Sequence, residues 1–151
     1  MNEFDDFQQR LNSLKTVIRS NRARIALIVA HDLNAAVKLD IQETGRDSSG
    51  AQFSPYTPQY AIKGRKQKGY QAEYVDFTRT GRMMANIQPQ VASDTKEKTL
   101  IVITARSQSE RAKLRGQGRK RGNIIRPSVQ EIATLRAQYG QAVIRLIRST
   151  I

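Results

Sequence analysis

The sequence predicts an α+β fold with a long N-terminal helix, a small antiparallel sheet made by one β-hairpin, a C-terminal helix packed on that sheet, and long basic loops. Three observations lead to this prediction. Residues 2–43 contain neither glycine nor proline and repeat apolar side chains every three or four positions. Two short apolar stretches flank a polar hexapeptide, which is typical of a hairpin. Ser128 and Glu131 have the spacing of a capping box, which predicts the start of a last helix.

The first predicted element is one long amphipathic helix that ends near Gly45. Weak helix formers at residues 20–22 allow a break there. About 40 residues of unbroken helix span about 60 Å, whereas a domain of this size has a radius of gyration of about 15 Å. We therefore expect residues 1–20 to project as a helical arm and to pack on another subunit. The apolar positions are Phe4, Phe7, Leu11, Leu14, Ile18, Ile25, Leu27, Ile28, Leu33, Val37 and Ile41.

A loop rich in proline and aromatic residues follows the first helix. Its prolines restrict the backbone, and aromatic rings in such a loop usually fasten it to a core; we call residues 53–60 the plug loop. Gly81 predicts a bend into the next element. The pair Met83-Met84 could form an adaptable contact surface, but the favoured interpretation is that one of the two belongs to the core. The predicted anchors of loop and core are Phe53, Pro55, Tyr56, Tyr60, Gly81 and Met83.

The hairpin and the closing helix are predicted from their apolar patterns. Residues 83–92 and 100–105 are the predicted strands, and residues 93–98 connect them. Residues 73–77 are a candidate for a third strand. The apolar face of the closing helix consists of Val129, Ile132, Leu135, Tyr139, Val143, Leu146 and Ile147.

Two basic segments that contain glycine are predicted to be exposed loops. We expect residues 62–70 to be a mobile loop. We expect residues 106–123 to be a flexible basic arm that orders only against another chain or DNA, because like charges repel and glycines add chain entropy. The predicted interaction residues, for protein or DNA, are Lys63, Arg65, Lys66, Lys68, Arg111, Lys113, Arg115, Arg119, Lys120 and Arg121.

Composition narrows the classes of protein to consider. The 151 residues are expected to form a single domain. Their net charge of +13 is compatible with a nucleic acid or an acidic protein surface as a partner, and equally with a solvated charged surface that binds neither. There is no cysteine, which excludes disulfides and thiolate metal sites. The longest apolar run, residues 25–30, is too short to span a bilayer, and the acidic start is unlike a signal peptide. We expect a soluble protein made inside the cell.

Patterns of catalytic residues are nearly absent from the sequence. His31 is the only histidine, lies in a helical pattern, and has no recognisable nucleophile nearby. The carboxylates do not have the spacing of a calcium loop. The glycines of residues 116–122 lack the spacing of a phosphate-binding loop. We therefore expect no enzyme activity, no cofactor and no bound metal.

Residues 47–87 carry a pattern in which glycine, phenylalanine and a Pro-Tyr-x-Pro-x-Tyr-Ala stretch precede a basic linker. Aspartate, two threonines, glycine, methionine and isoleucine then follow at fixed spacing. In this pattern the chain resembles the virion morphogenesis proteins of tailed phages, the small tail-completion and head–tail connection (neck) proteins. The resemblance covers about residues 27–151 and includes Arg126-Pro127, although the aromatic-leucine-glycine stretch that often follows in the family is missing here. The matching residues are Gly50, Phe53, Pro55, Tyr56, Pro58, Tyr60, Ala61, Asp76, Phe77, Thr78, Thr80, Gly81, Met83 and Ile87.

The resemblance implies a structural virion protein, a ring-forming homo-oligomer at the head–tail junction that joins head to tail or completes the tail. It also implies assembly in the host cytoplasm. The implied partners are other neck, portal, adaptor or tail proteins, with non-specific contact to genomic DNA in the channel and no contact to a membrane. The alternative is a nucleic-acid-binding protein outside any virion, whose basic loops hold DNA phosphates. Duplex binding by a monomer or dimer that weakens steeply with salt would favour that alternative.

Overall fold

A computed structural model describes residues 2–122 and 124–150 of the chain. It confirms the predicted α+β class, with a long N-terminal helix, a two-stranded antiparallel sheet and a C-terminal helix. In chain order the elements are α1 (Glu3–Thr44), a π-helical turn (Tyr60–Arg65), a 3₁₀ turn (Lys66–Lys68), α2 (Arg82–Asn86), β1 (Ile87–Asp94), β2 (Thr99–Ala105), α3 (Gln108–Arg121) and α4 (Val129–Arg148).

Helix α1 is unbroken over 42 residues, so that it is about 60 Å long. The Asn2 side chain caps its first turn, and Gly45 ends it in the left-handed conformation (φ 66°), as predicted. The helix is continuous through residues 20–22, where the sequence allows a break. Ser20 and Asn21 both donate side-chain hydrogen bonds to the carbonyl of Val17, one turn earlier, and so remain compatible with the helix.

The hairpin has the predicted connectivity but different bounds. β1 and β2 pair antiparallel, with a bulge between Val91 and Ser93. The predicted strand start at residue 83 is wrong, because left-handed Gly81 (φ 65°) leads into α2 and the strand begins only after that helix. The third candidate strand, residues 73–77, is also wrong, because this segment is irregular.

Both basic segments are more regular than predicted. The π-helical and 3₁₀ turns occupy most of residues 62–70, and α3 occupies most of residues 106–123; Asn123 lies outside the described residues. Two features stabilise α3 despite its glycines. The Ser107 hydroxyl caps its N-terminus by accepting a hydrogen bond from a backbone N–H of the first turn at 3.2 Å, and half-buried Leu114 packs against the core.

Helix α4 begins with the predicted capping box, in which Ser128 and Glu131 each accept a hydrogen bond from the other's backbone N–H, at 3.1 and 2.6 Å. The predicted packing of this helix on the sheet is wrong, because α4 packs along α1. The sheet also packs on α1, where Asn34 and Lys38 donate to the carbonyl of Ile87 at 3.1 and 2.6 Å.

The core lies at the C-terminal end of α1. All the buried residues of α1 fall between Val29 and Ile41. The helix meets the hairpin tip at Arg22, which donates to Asp94 Oδ1 at 3.0 Å, and the earlier turns extend beyond the core. The buried apolar cluster consists of Val37, Ile41, Phe53, Val75, Met83, Met84, Ile87, Ala105 and Ile124.

Candidate functional site

The plug loop inserts its first ring into the core and leaves the next two at the surface. Phe53 is 6% exposed and meets the ring of Phe77 edge-on, with centroids 5.4 Å apart. Tyr56 and Tyr60 are half-buried, with centroids 5.3 Å apart, whereas Pro55 is exposed. Phe53 is thus the anchor of the loop, and the two tyrosines form one wall of a cleft.

A buried ion pair fixes the basic turn beside these tyrosines. Arg65 is 1% exposed, and its Nη2 donates to both carboxylate oxygens of Asp76, at 2.8 and 3.0 Å. Its Nε donates to the carbonyl of Gln71. Arg65 was predicted as a surface interaction residue, but its charge is already matched inside the protein. Its position is that of a structural anchor.

Tyr56 connects the ion pair to α3. Its hydroxyl donates to Asp76 at 3.1 Å. The Arg65 and Arg121 guanidinium carbons lie 4.7 and 5.8 Å from its ring centroid, within the range of cation–π contacts. Burial, and then the negative charge of Asp76, raise the pKa of the Tyr56 hydroxyl, so that it remains a hydrogen-bond donor.

The chain between the ion pair and α2 holds a strained residue. Phe77 has φ 58°, a left-handed conformation that is rare for a bulky side chain. The backbone N–H and the hydroxyl of Thr78 both donate to the Asp76 carboxylate, which holds the turn in place. The Phe77 ring contacts Phe53 and also lines the cleft that the two tyrosines border.

A cleft of about 520 Å³ lies between the plug loop, the Asp76 turn and α3. Its walls combine aromatic rings with cations, and we call it the basic aromatic cleft. Met83, which is buried, contributes to its floor. The residues that line it are Tyr56, Thr57, Tyr60, Arg65, Phe77, Arg79, Thr80, Met83, Lys113, Gln117, Lys120 and Arg121.

The cations of the cleft are not equally neutralised. Arg65 is paired with Asp76, and Lys113 lies 2.8 Å from a carboxylate oxygen of Glu110. Among the described residues, Arg79, Lys120 and Arg121 have no carboxylate within ion-pair distance. The cleft therefore offers unmatched positive charge beside exposed aromatic edges and faces, an arrangement that binds anionic groups carrying apolar or ring substituents.

Two of these free cations are held in place by neutral groups. The Arg121 Nε donates to the carbonyl of Ser54 in the plug loop at 3.1 Å, and its Nη1 donates to Gln117. The Arg79 guanidinium lies 5.7 Å from the Tyr60 ring centroid. Arg121 is thus positioned by two hydrogen bonds, whereas exposed Arg79 is positioned by one cation–π contact.

The predicted interaction residues separate into two groups. Lys113, Lys120 and Arg121 of α3 line the cleft together with buried Arg65. The others are exposed and lie elsewhere, on the basic turns or on the opposite side of α3. These are Lys63, Lys66, Lys68, Arg111, Arg115 and Arg119.

Arg79, which lies between Thr78 and Thr80, was not predicted as an interaction residue. The pattern of residues 47–87 spans this position without specifying a residue type there. Its place next to the predicted bend at Gly81 is the signal that could have identified it. The meeting of the plug loop and α3 was not predicted either, because Tyr56 and Lys120 are distant in sequence and no periodicity links them.

The residues considered for other chemistry do not come together. His31 is exposed on α1. Within the described ranges, no group of three or more histidine, aspartate or glutamate side chains is arranged to hold a metal ion. Over the same residues, no helix has both the length and the apolar character needed to cross a membrane.

Comparison of the chain with protein-family models, with curated proteins and with solved structures finds no match.

Proposed function

We propose that this chain is a non-enzymatic structural subunit of a tailed-phage virion, which forms a ring at the neck and joins head to tail or completes the tail. One observation carries the proposal. The apolar stripe of α1 continues beyond the core, and among the described residues nothing covers its Phe4 and Phe7, which are 66% and 56% exposed. The resemblance of residues 47–87 to the neck and tail-completion proteins supports the same proposal.

The geometry of α1 explains why a partner is needed. Phe4 and Phe7 lie on the same helix face as buried Val29, as a period of 3.6 residues requires. Leaving large apolar side chains in water forgoes about 1.5–3 kcal/mol for each one that a partner buries. A neighbouring subunit offers that burial. A head-to-tail contact repeated around an axis closes into a ring.

Truncation of the N-terminal helical arm tests the proposal. A chain without residues 2–20 keeps the core around Val37 and Ile41, so we expect it to fold but to lose higher assembly. Light scattering gives the mass, and circular dichroism reports the fold. Persistence of the full-length oligomer after truncation would contradict the proposal.

Point variants distinguish the effect of losing the two phenylalanine rings from the effect of shortening the N-terminal helical arm. Phe4→Ser/Phe7→Ser should reduce assembly in the same way as truncation. Leu39→Ser is the control, because Leu39 is also on α1, is 56% exposed, and lies at the other end of the helix. We expect Leu39→Ser to assemble like the unmodified chain. An equal loss in both variants would indicate a general effect of reduced surface apolarity.

The alternative function is binding of nucleic acid outside a virion, and the basic aromatic cleft is the observation that favours it. Unpaired Arg79, Lys120 and Arg121 beside tyrosine rings are suited to phosphates and bases. In that case the monomer binds duplex DNA, and the logarithm of the affinity falls linearly with the logarithm of salt concentration. A neck subunit instead requires assembly before it binds DNA well, so measuring DNA affinity on the truncated monomer distinguishes the two functions.

A further inference from the structure

We propose that the basic aromatic cleft of one subunit receives the acidic first turn of α1 from a second copy of this chain. The inference rests on the proposed ring function and deepens it, because it names the two surfaces that meet. Residues 3–7, which we call the tip, are the ligand. The contact is head-to-tail, since the tip and the cleft are different surfaces.

The tip carries the negative charge that the cations of the cleft lack as a partner. The acidic residues of the first turn are Glu3, Asp5 and Asp6. Asp6 lies 3.0 Å from Arg10 in an exposed ion pair, whereas Glu3 and Asp5 have no ion-pair partner among the described residues. Exposed Phe4 alternates with these carboxylates. The tip therefore presents carboxylates and phenyl rings on one short helical end.

The cleft presents the complement of each group. Arg79, Lys120 and Arg121 supply cations without carboxylate partners, and Tyr56 and Tyr60 supply rings against which a phenyl side chain packs. Its volume of about 520 Å³ is that of a site for a small ligand, so it accommodates a few side chains of one helical turn. Charge pairing across such an interface selects the partner and fixes the register.

A subunit cannot fill its own cleft. The cleft forms around Phe77, whose ring contacts Phe53 of the core, and that core packs on α1 at Val37 and Ile41. The tip lies towards the other end of the same unbroken helix, about 50 Å from that contact. The acidic tip of one copy can therefore reach only the cleft of another. A repeated contact between two unlike surfaces of this kind generates rings or helical filaments.

Charge complementarity also favours the tip over other occupants built from this chain. The tip gathers three acidic residues in its first turn, in a chain whose net charge is +13. Most of the remaining surface therefore repels the cleft. An acid-rich end with exposed rings is the segment of this chain that fits.

The experiment uses two full-length variants, each of which removes charge from one surface. The tip variant is Glu3→Gln/Asp5→Asn, and the cleft variant is Arg79→Gln/Lys120→Gln. Each variant alone should assemble about tenfold or more weakly than the unmodified chain, because each loses the charged partners of the other surface. Analytical ultracentrifugation over a range of concentrations measures the association.

Mixing the variants tests the head-to-tail geometry. The cleft variant keeps its acidic tip, and the tip variant keeps its basic cleft, so only one productive contact is available per pair. At concentrations where neither associates alone, an equimolar mixture should form a 1:1 dimer that grows no further. Two results would overturn the proposal. One is growth of the mixture into complete rings, and the other is no association on mixing under conditions in which the unmodified chain assembles.

Matched controls carry the same charge changes at other places. Asp40→Asn/Glu43→Gln removes two exposed acids from the far end of α1, and Arg115→Gln/Arg119→Gln removes two exposed cations from the other side of α3. Both controls should assemble like the unmodified chain. Loss of assembly in the controls equal to that in the test variants would show that net charge, rather than the tip and the cleft, controls association, and would overturn the proposal.

The outcomes separate this inference from the proposed function. If the unmodified chain assembles through residues 2–20 and both variants still assemble fully, this inference fails while the ring function stands. An unmodified chain that stays monomeric overturns both. A further outcome is a cleft variant that assembles like the unmodified chain and binds a short DNA duplex more weakly. That result would show that the cleft binds nucleic acid through its phosphates, and it would overturn this inference.

Discussion

The two basic segments have similar compositions and are held in place by different means. The turns at residues 60–68 keep Lys63, Lys66 and Lys68 in solvent but bury Arg65, whose partner Asp76 accepts hydrogen bonds on both of its oxygens. Helix α3 buries Glu110 at its first turn. One carboxylate oxygen of Glu110 accepts from Lys113, and the other has no hydrogen-bond partner among the described residues.

We infer that the buried and hydrogen-bonded Arg65–Asp76 pair fixes the position of the first segment, whose regular structure is one π-helical and one 3₁₀ turn. Removing one partner would leave the other charge buried and unpaired. Helix α3 is instead held by its own backbone hydrogen bonds, its cap and a narrow apolar contact. We therefore expect a single substitution at the Arg65–Asp76 pair to lower the free energy of unfolding strongly. Substitutions along α3 should each lower it only slightly.

The largest expected effect is that of Asp76→Ala. This change leaves the Arg65 guanidinium buried without a countercharge, and breaking a buried pair from one side costs about 3–5 kcal/mol. Urea denaturation measures the loss. The double variant Arg65→Met/Asp76→Ala is the comparison, since it leaves no buried charge unpaired and should be more stable than Asp76→Ala alone. A double variant that is less stable than the single one would contradict this account.

The next effect is that of Phe53→Ala in the plug loop. Phe53 is 6% exposed and packs edge-on against Phe77, so its removal leaves a cavity and should cost about 3 kcal/mol or more. The melting temperature measures the change. Pro55→Ala in the same loop is the control, because Pro55 is exposed and its ring fills no cavity. An unchanged melting temperature for Phe53→Ala would show that the ring is not the anchor of the loop.

Features coded by local sequence were predicted correctly. The end of α1 at Gly45 follows from the need for a left-handed residue, and the start of α4 follows from the capping box of Ser128 and Glu131. The hairpin connectivity follows from two apolar runs and a polar connection. Each of these signals lies within a few residues, so that no tertiary contact is needed to read it.

The features that were not predicted depend on distant contacts, with one local exception. The exception is the helical state of α3, because its capping residue Ser107 directly precedes the helix, whereas the prediction rested on the glycines and like charges of the segment. The burial of Arg65 was missed because the composition of residues 62–70 does not reveal that Asp76 returns to meet it. The basic aromatic cleft was missed because it forms only when the plug loop and α3 meet.

A smaller effect is expected at the start of α3. The Ser107 hydroxyl accepts a hydrogen bond from the backbone N–H of Glu110 at 3.2 Å, and loss of such a cap costs about 1 kcal/mol. Ser107→Ala should therefore lower the stability of the chain by that amount, whereas Ser107→Asp, which also caps helices, should restore most of it. Chemical denaturation of the three proteins checks the order. Equal stability of Ser107→Ala and the unmodified chain would show that the cap contributes nothing.

The smallest effect is expected from the cations of α3, and it separates the two sides of that helix. Arg119 is exposed, and Arg119→Gln should change the free energy of unfolding by less than about 0.5 kcal/mol. Arg121 donates to the carbonyl of Ser54 and to Gln117, so Arg121→Gln should cost more, about 1 kcal/mol. Amide hydrogen exchange gives a second readout, since the α3 amides should be protected in the isolated chain and should lose protection mainly in Arg121→Gln. Equal effects of the two substitutions, or unprotected amides across α3, would mean that this segment is ordered only by a partner and not by its contact with the plug loop.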